Sequence, residues 1–369
     1  MFDFVVPCLF GLEGYVADEL RMLGMENVNA DNGQVGFSGW IEQAYRANLH
    51  LRCGERVLLR LGQFKAETFD QLFEGTKALP LEEFVGRDEA FPVKGHSLNS
   101  KLFSIPDCQK IIKKAAVERL KSKYKVTWFA ETGVKKQLQF AIMKDQVSIY
   151  LDTTGAGLHK RGYRATAGGA PIRETLAAAM VKQSRYKGAS PLIDPFCGSG
   201  TILIEAALIA KNRAPGLYRK FACQDWSQAA ADAFKQLKEE SRAKEYNNEY
   251  SISGFDIDDQ LLDIARENTK KAGLGQMISY QAADVAALEA PSDAIIIANP
   301  PYGERLMDIK QAQRLYAVLG QKIADNRAYV ISSDPEFELH FGKKAEKKRK
   351  LYNGMIKCDL YMYNINRKM

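Results

Sequence analysis

Cysteine and histidine are scarce in this 369-residue chain, and the few present stand apart. The six cysteines are Cys8, Cys53, Cys108, Cys197, Cys223 and Cys358, with no CxxC pair among them. The four histidines, His50, His96, His159 and His340, are equally scattered. The spacings of zinc fingers and metalloproteases are therefore missing, and no metal site is expected. A chain of this length has core enough to do without disulfides, which points to a reduced, cytoplasmic protein. No apolar stretch reaches the roughly 18 residues that a membrane span needs. The N-terminus, MFDFVVPCLFGLEG, carries an acid at Asp3 and no basic segment, unlike a secretory signal. Internal repeats and low-complexity tracts are missing as well, which excludes solenoids and fibrous proteins.

What is present is ordinary globular material: 46% hydrophobic and 26% charged residues, in a length that suits two or three domains. The net charge of +7 is unevenly placed. Residues 1–50 are net acidic, and the densest basic stretch runs from Lys94 to Lys136, broken only by Asp107, Glu118 and Glu131. Such a stripe is either a footprint for an anionic polymer or a solvated face.

The first 64 residues alternate strand and helix. Phe2–Phe10 reads as a buried strand, 11–23 as a helix, Asn32-Gly33 as a turn, 34–37 as a short strand, 41–51 as a helix and 56–64 as a strand. In residues 65–157, Ser104-Ile105-Pro106-Asp107 looks like a capped start for a helix running to Tyr124. Its apolar face is Ile111, Ile112, Ala115, Ala116 and Leu120, ringed by Lys110, Lys113, Lys114, Lys121 and Lys123. Strands are predicted at 126–131, 136–143 and 146–152. A boundary falls near 155–165, in a small-residue stretch followed by His159-Lys160-Arg161-Gly162-Tyr163-Arg164. Beyond it the pattern becomes strand, glycine-rich turn, helix, strand, the grammar of a doubly wound parallel sheet. Lys343–Lys350 (KKAEKKRK) reads as a basic loop between two strands.

Four motifs in this last region carry chemistry. In PLIDPFCGSGT, a strand ends on Asp194 and the turn Phe196-Cys197-Gly198-Ser199-Gly200 opens a helix over 202–210. The turn lacks the lysine of a phosphate loop and the third glycine of a dinucleotide fingerprint. A zwitterionic ligand, with its ammonium group on Asp194, fits better than a polyphosphate; a plain tight turn is the alternative. In ISGFDID, a second strand ends on Asp256, where an acid commonly holds ribose hydroxyls, with Ile257 beside it; Asp258 reads as a helix cap. In the third, a strand over 278–284 ends on Asp284, with Val285 next to it; the acid or its neighbouring backbone either meets an adenine amino group or caps the next turn. In the fourth, an apolar strand ends in Asn299-Pro300-Pro301-Tyr302. Two prolines remove two N–H donors and leave carbonyl acceptors. With the Asn299 side chain they suit an exocyclic aromatic amino group, held by its hydrogens with the ring stacked on Tyr302. Cys197 reads as a small packing residue rather than a nucleophile.

This ordered set resembles the class I S-adenosylmethionine-dependent methyltransferases, and NPPY resembles the subgroup that methylates exocyclic amino nitrogens of bases. The segments LHKRGY (158–163), APIRETL (170–176), DPFCGSG, NPPYGER and LYNG (351–354) further resemble the THUMP-domain methyltransferases, nearest the bacterial large-subunit rRNA guanine-N2 enzymes. The likeness implies an α/β chain. A ferredoxin-like α+β unit (1–64) and a THUMP domain (65–157), both for RNA, would precede a Rossmann-like class I catalytic domain (158–369). It implies S-adenosyl-L-methionine as cofactor and S-adenosyl-L-homocysteine as product. Asp194, Phe196, Cys197, Gly198, Ser199, Gly200, Asp256, Ile257, Asp284, Val285 and Asn299 would hold the cofactor, and Asn299, Pro300, Pro301 and Tyr302 the target. RNA contacts are expected from Lys110, Lys113, Lys114, Lys160, Arg161, Arg164, Arg305, Lys347 and Lys348, with rRNA favoured over tRNA. The rivals are an adenine-N6 methyltransferase on DNA or RNA, and an RNA-binding assembly factor whose catalysis is dispensable. A monomer is compatible with all of these.

Overall fold

Two separate runs of alternating strands and helices build two seven-stranded sheets. The computed structural model describes residues 1–164, 172–302 and 309–366. The first run comprises β1 (Phe2–Pro7), α1 (Glu13–Met22), β2 (Glu26–Asp31), β3 (Gln34–Gly39), α2 (Ile41–His50), β4 (Leu58–Lys65), α3 (Phe69–Ala78), β5 (Val93–Leu98), α4 (Ile105–Tyr124), β6 (Leu138–Met143) and β7 (Gln146–Asp152). Its sheet has the order β2-β3-β1-β4-β7-β6-β5. Strand β4 pairs with β1 on one side and with β7 on the other, so one ladder runs through both N-terminal units.

Several elements depart from their expected form. β2 is an addition to the expected set: its sequence ENVNAD is polar almost throughout and it lies exposed at the sheet edge, so no alternation betrays it. α3 and β5 are additions too. The expected strand at 126–131 does not form. Lys125 closes α4 in a left-handed conformation, and the chain then runs irregularly, anchored by Phe129 edge-on to Phe91. β5 takes the expected strand's place, parallel to β6. At the start of α4, the Ser104 hydroxyl donates to the Asp107 carboxylate at 2.6 Å and caps no backbone N–H.

The second run comprises α5 (Glu174–Gln183), β8 (Leu192–Asp194), α6 (Thr201–Ala210), α7 (Gln228–Ala243), β9 (Ile252–Asp256), α8 (Asp259–Lys271), β10 (Ser279–Ala282), β11 (Ile295–Ala298), α9 (Ile309–Lys322), β12 (Arg327–Ser332), α10 (Phe337–Phe341), β13 (Lys347–Asn353) and β14 (Ile356–Tyr363). The sheet order is β10-β9-β8-β11-β12-β14-β13. The first five are mutually parallel, and the β13–β14 hairpin adds on antiparallel to β12. The expected basic loop is partly strand: Lys347 to Lys350 lie on β13, at the sheet edge. Strand order reverses around β8, so a crevice opens at the carboxyl ends of β8, β9 and β11, where doubly wound sheets bind ligands.

The two sheets are joined by polar contacts as well as a shared core. Glu55 accepts from Thr175 at 2.7 Å and meets His159 at 2.8 Å. Arg349 of β13 stacks on the Tyr15 ring and donates to the Gly11 carbonyl. Arg52, just after α2, donates to the Arg213 carbonyl at 2.8 Å. No helix among the described residues is long and apolar enough to cross a membrane.

Candidate active site

Parallel pairing carries Asp194, Asp256 and Asn299 to one edge: Asp194 pairs with Gly254, so Asp256 lies two residues beyond it, and Ile193 pairs with Ile296, so Asn299 also lies past the end of β8. Asp194 is buried, and its Oδ1 accepts the Phe196 N–H at 3.0 Å. Its Oδ2 is buried with no protein partner. Burial, with the nearby charge of Asp256, pushes the carboxyl up to about 8. A buried carboxylate oxygen left open in this way calls for a cation or donor from outside the chain.

The turn after Asp194 is shaped by its glycines. Gly198 takes φ +50, and a Cβ there would meet nothing within 4 Å, so its backbone borders open space. Gly200 takes φ +80 at the head of α6, where a Cβ would lie 2.6 Å from the Tyr280 hydroxyl. The turn is braced from outside. Gly198 N–H donates to Asp256 Oδ2 at 2.8 Å, Asn268 donates to the Ser199 carbonyl at 3.1 Å, and Tyr280 and Thr269 share a 2.8 Å hydrogen bond. Asp256 Oδ1 also accepts the Asp258 N–H, and Asp258 caps α8 as expected. The side chain of Ile257 is 76% exposed at this lip, an apolar face next to the acid.

Cys197 is buried against Gly254, and burial above all, then Asp194 and Asp256, pushes its thiol far up. A thiol held protonated is no nucleophile, in keeping with the packing role. Asp284 caps the next turn, accepting the Ala286 N–H at 2.8 Å, while its side chain stays open to solvent; Val285 is buried beneath it.

The NPPY segment differs from expectation at Tyr302. Its phenol donates to Asn299 Oδ1, near Cys358 and Asn353, and burial pushes it up. The ring is half-buried against the core rather than open to a base. The Pro301 carbonyl is engaged by the Tyr316 hydroxyl at 2.8 Å.

Among the expected RNA contacts, several cations are spent inside the protein. Arg161 is 3% exposed and pairs with Glu205 on α6 at 3.2 Å, so it is not a surface cation. Arg164 donates to Thr201 Oγ1, the Ile172 carbonyl and Glu174, tying the head of α6 to α5. Lys113 pairs with Glu131 and sits over the Phe91 ring, and Lys348 pairs with Glu338. Lys110, Lys114, Lys160 and Lys347 are exposed. Arg305 lies outside the described residues. The bracing set Arg164, Glu174, Glu205, Asn268 and Tyr280 escapes a reading of the sequence. The one available signal is Glu205 itself, a lone acid in the otherwise apolar helix TILIEAALIA.

The donor set fits S-adenosylmethionine: an open carboxylate for its ammonium, an open glycine backbone, an acid for its ribose and an apolar lip for its adenine. A family model described as an RMKL-like methyltransferase domain matches residues 161–362. The chain belongs to this family. Models of the RlmL ferredoxin-like domain and the THUMP domain match residues 3–58 and 66–152. YpsC of Bacillus subtilis, named as a candidate RNA methyltransferase, is 44% identical over 98% of this chain and 96% of its own length. The large-subunit rRNA methyltransferase K/L of Psychromonas ingrahamii is 34% identical; the match takes in 100% of this chain but 51% of that protein. This chain thus spans about half the length of the K/L relatives. Two solved structures share the whole RMKL-like architecture. One, from Listeria monocytogenes and described as a predicted N6-adenine-specific DNA methylase, has 44% identity and a TM-score of 0.92, covering 98% of this chain and 96% of that one. The other, described as a candidate methyltransferase complexed with S-adenosylhomocysteine, has 38% identity and a TM-score of 0.94, covering 100% and 99%. The chain is a class I methyltransferase whose cofactor is S-adenosylmethionine, preceded by a ferredoxin-like domain and a THUMP domain.

Proposed function

We propose that this protein methylates the exocyclic N2 of a guanine in large-subunit rRNA, in the cytoplasm. The observation that carries the reading is Asn299 just past the end of β11, on the same sheet edge as the unpartnered buried oxygen of Asp194 at the end of β8. The names of YpsC and of the K/L proteins support RNA as the polymer, as does the THUMP domain.

Bound S-adenosylmethionine supplies an electrophilic methyl group. Asp194 would hold its ammonium end, with the Gly198 backbone alongside; Asp256 would take the ribose hydroxyls, and Ile257 with the Asp284–Val285 turn would flank the adenine. Asn299 Oδ1 and the Pro300 carbonyl accept the two amino hydrogens of the target base. This aims the nitrogen lone pair at the methyl group and steadies positive charge as it develops. Tyr302 holds the Asn299 rotamer until a base arrives and then yields Oδ1 to it. The reaction needs positioning more than proton removal, so no general base is assigned. The target guanine must be unpaired or flipped out of its helix.

Mass spectrometry of nucleosides from a deletion strain and its parent tests this, with complementation by wild type and by Asn299→Ala. Loss of N2-methylguanosine from large-subunit rRNA, restored only by wild type, is the expected result. Loss of N6-methyladenine instead would establish the adenine reading, and unchanged nucleosides in rRNA, tRNA and DNA would leave the binding-factor reading.

A further inference from the structure

Between α6 and β9 the chain inserts residues 211–250, which include α7. Phe234 is the buried anchor of α7, stacked on Phe221 and tilted against Tyr45 of α2. Lys235, Lys238 and Arg242 sit three and four residues apart, so they share the flank beside that anchor; Glu239, four residues after Lys235, and Asp232, three before it, border the Lys235 side, while Gln236 and Glu240 fall further round. Lys238 donates to the Arg219 carbonyl at 2.9 Å, which brings the exposed Lys220 to the same flank. Arg219 in turn donates to the carbonyl of Lys160 at 2.8 Å, which sets the linker and its exposed lysine alongside. None of Lys160, Lys220, Lys235, Lys238 and Arg242 has an ion-pair partner among the described residues. Burial first, then the charges of Arg242, Lys220 and Arg219, hold the Lys238 ammonium below its ordinary value. The linker carrying Lys160 continues along α6, with Arg161 on Glu205 and Arg164 on Thr201 at the head of the cofactor turn. The linker thus ties the segment beside this flank to the head of α6.

We propose that this flank of α7, with Lys220 and Lys160, is a phosphate-binding surface for the RNA backbone, separate from the THUMP domain. The proposal rests on the RNA reading above. The test uses the full chain and a triple variant, Lys220→Ala, Lys235→Ala and Arg242→Ala, all at exposed positions. Binding to a large-subunit rRNA transcript is measured against salt concentration. The salt slope of the triple variant should fall by about 2, at roughly 0.7–0.9 for each phosphate no longer neutralised, with affinity down at least about tenfold in low salt. S-adenosylhomocysteine affinity and the melting temperature should stay at wild-type values. Lys220→Arg with Lys235→Arg should keep the wild-type slope. A triple variant with unchanged slope and affinity overturns the surface. If wild type prefers tRNA or duplex DNA to rRNA, the substrate reading fails, and the same slope comparison on the preferred polymer still decides the surface.

Discussion

The two seven-stranded sheets use the same number of strands for opposite ends. In the second, five parallel strands bring their carboxyl ends to one edge, so residues at 194, 256 and 299 converge although far apart in the chain. In the first, pairing is antiparallel except between β5 and β6, strand ends alternate, and no edge gathers chemistry. Parallel order concentrates a site at points. Antiparallel order offers a surface. The catalytic half is accordingly sensitive to single atoms.

The sharpest break in this comparison is Asn299→Ala. Methyl transfer in a single turnover should fall by at least about 100-fold, the scale of losing one oriented polar group at a reacting centre. S-adenosylhomocysteine affinity should be unchanged, and a matching loss of affinity would move Asn299 into cofactor binding alone. Next in size is Glu205→Ala, which strands the buried Arg161 guanidinium between linker and α6. Urea unfolding should show a loss of about 3–5 kcal/mol, and Arg161→Met with Glu205→Leu should recover most of it.

Asp194 makes a prediction with a sign. Its carboxyl titrates near 8 in the fold, above its ordinary value, so folding takes up a proton between about pH 4 and pH 8. Stability of the ligand-free protein therefore falls as pH rises through that window, and Asp194→Asn flattens the fall. Cofactor affinity runs the other way, strengthening as the carboxylate forms. Arg164→Ala should weaken S-adenosylhomocysteine binding about 5–10-fold, the worth of one or two hydrogen bonds at the head of α6. It should leave the salt dependence of RNA binding unaltered, which separates bracing from phosphate contact. Least of all, Cys197→Ala should cost about 1 kcal/mol of packing and leave methyl transfer intact.

What is legible in the sequence follows the same division. Residues whose role depends on strand-end placement are readable, because an apolar run closing on an acid or on Asn-Pro-Pro announces its own position. The β8 and β11 ends come from such runs, as does α4, whose bounds at Ile105 and Tyr124 match the apolar spacing. What a partner decides is not readable. Arg161 and Lys160 are neighbours in one basic run, yet one is sealed against Glu205 and the other faces solvent. Tyr302 reads as an open ring because nothing nearby in sequence shows Cys358 and Asn353 arriving from the β13–β14 hairpin. β2 escapes because an edge strand with neither face buried carries no pattern to read.

The position of β4 in the first sheet has a consequence for how such proteins are inherited. A strand claimed by β1 on one side and by β7 on the other belongs to neither unit alone. Cutting the gene after residue 64 would bare the β7 ladder that β4 now covers and leave a raw edge prone to join other chains. Recombination that shuffles domains as separate beads has no clean seam there. A cut there therefore severs a ladder rather than a linker.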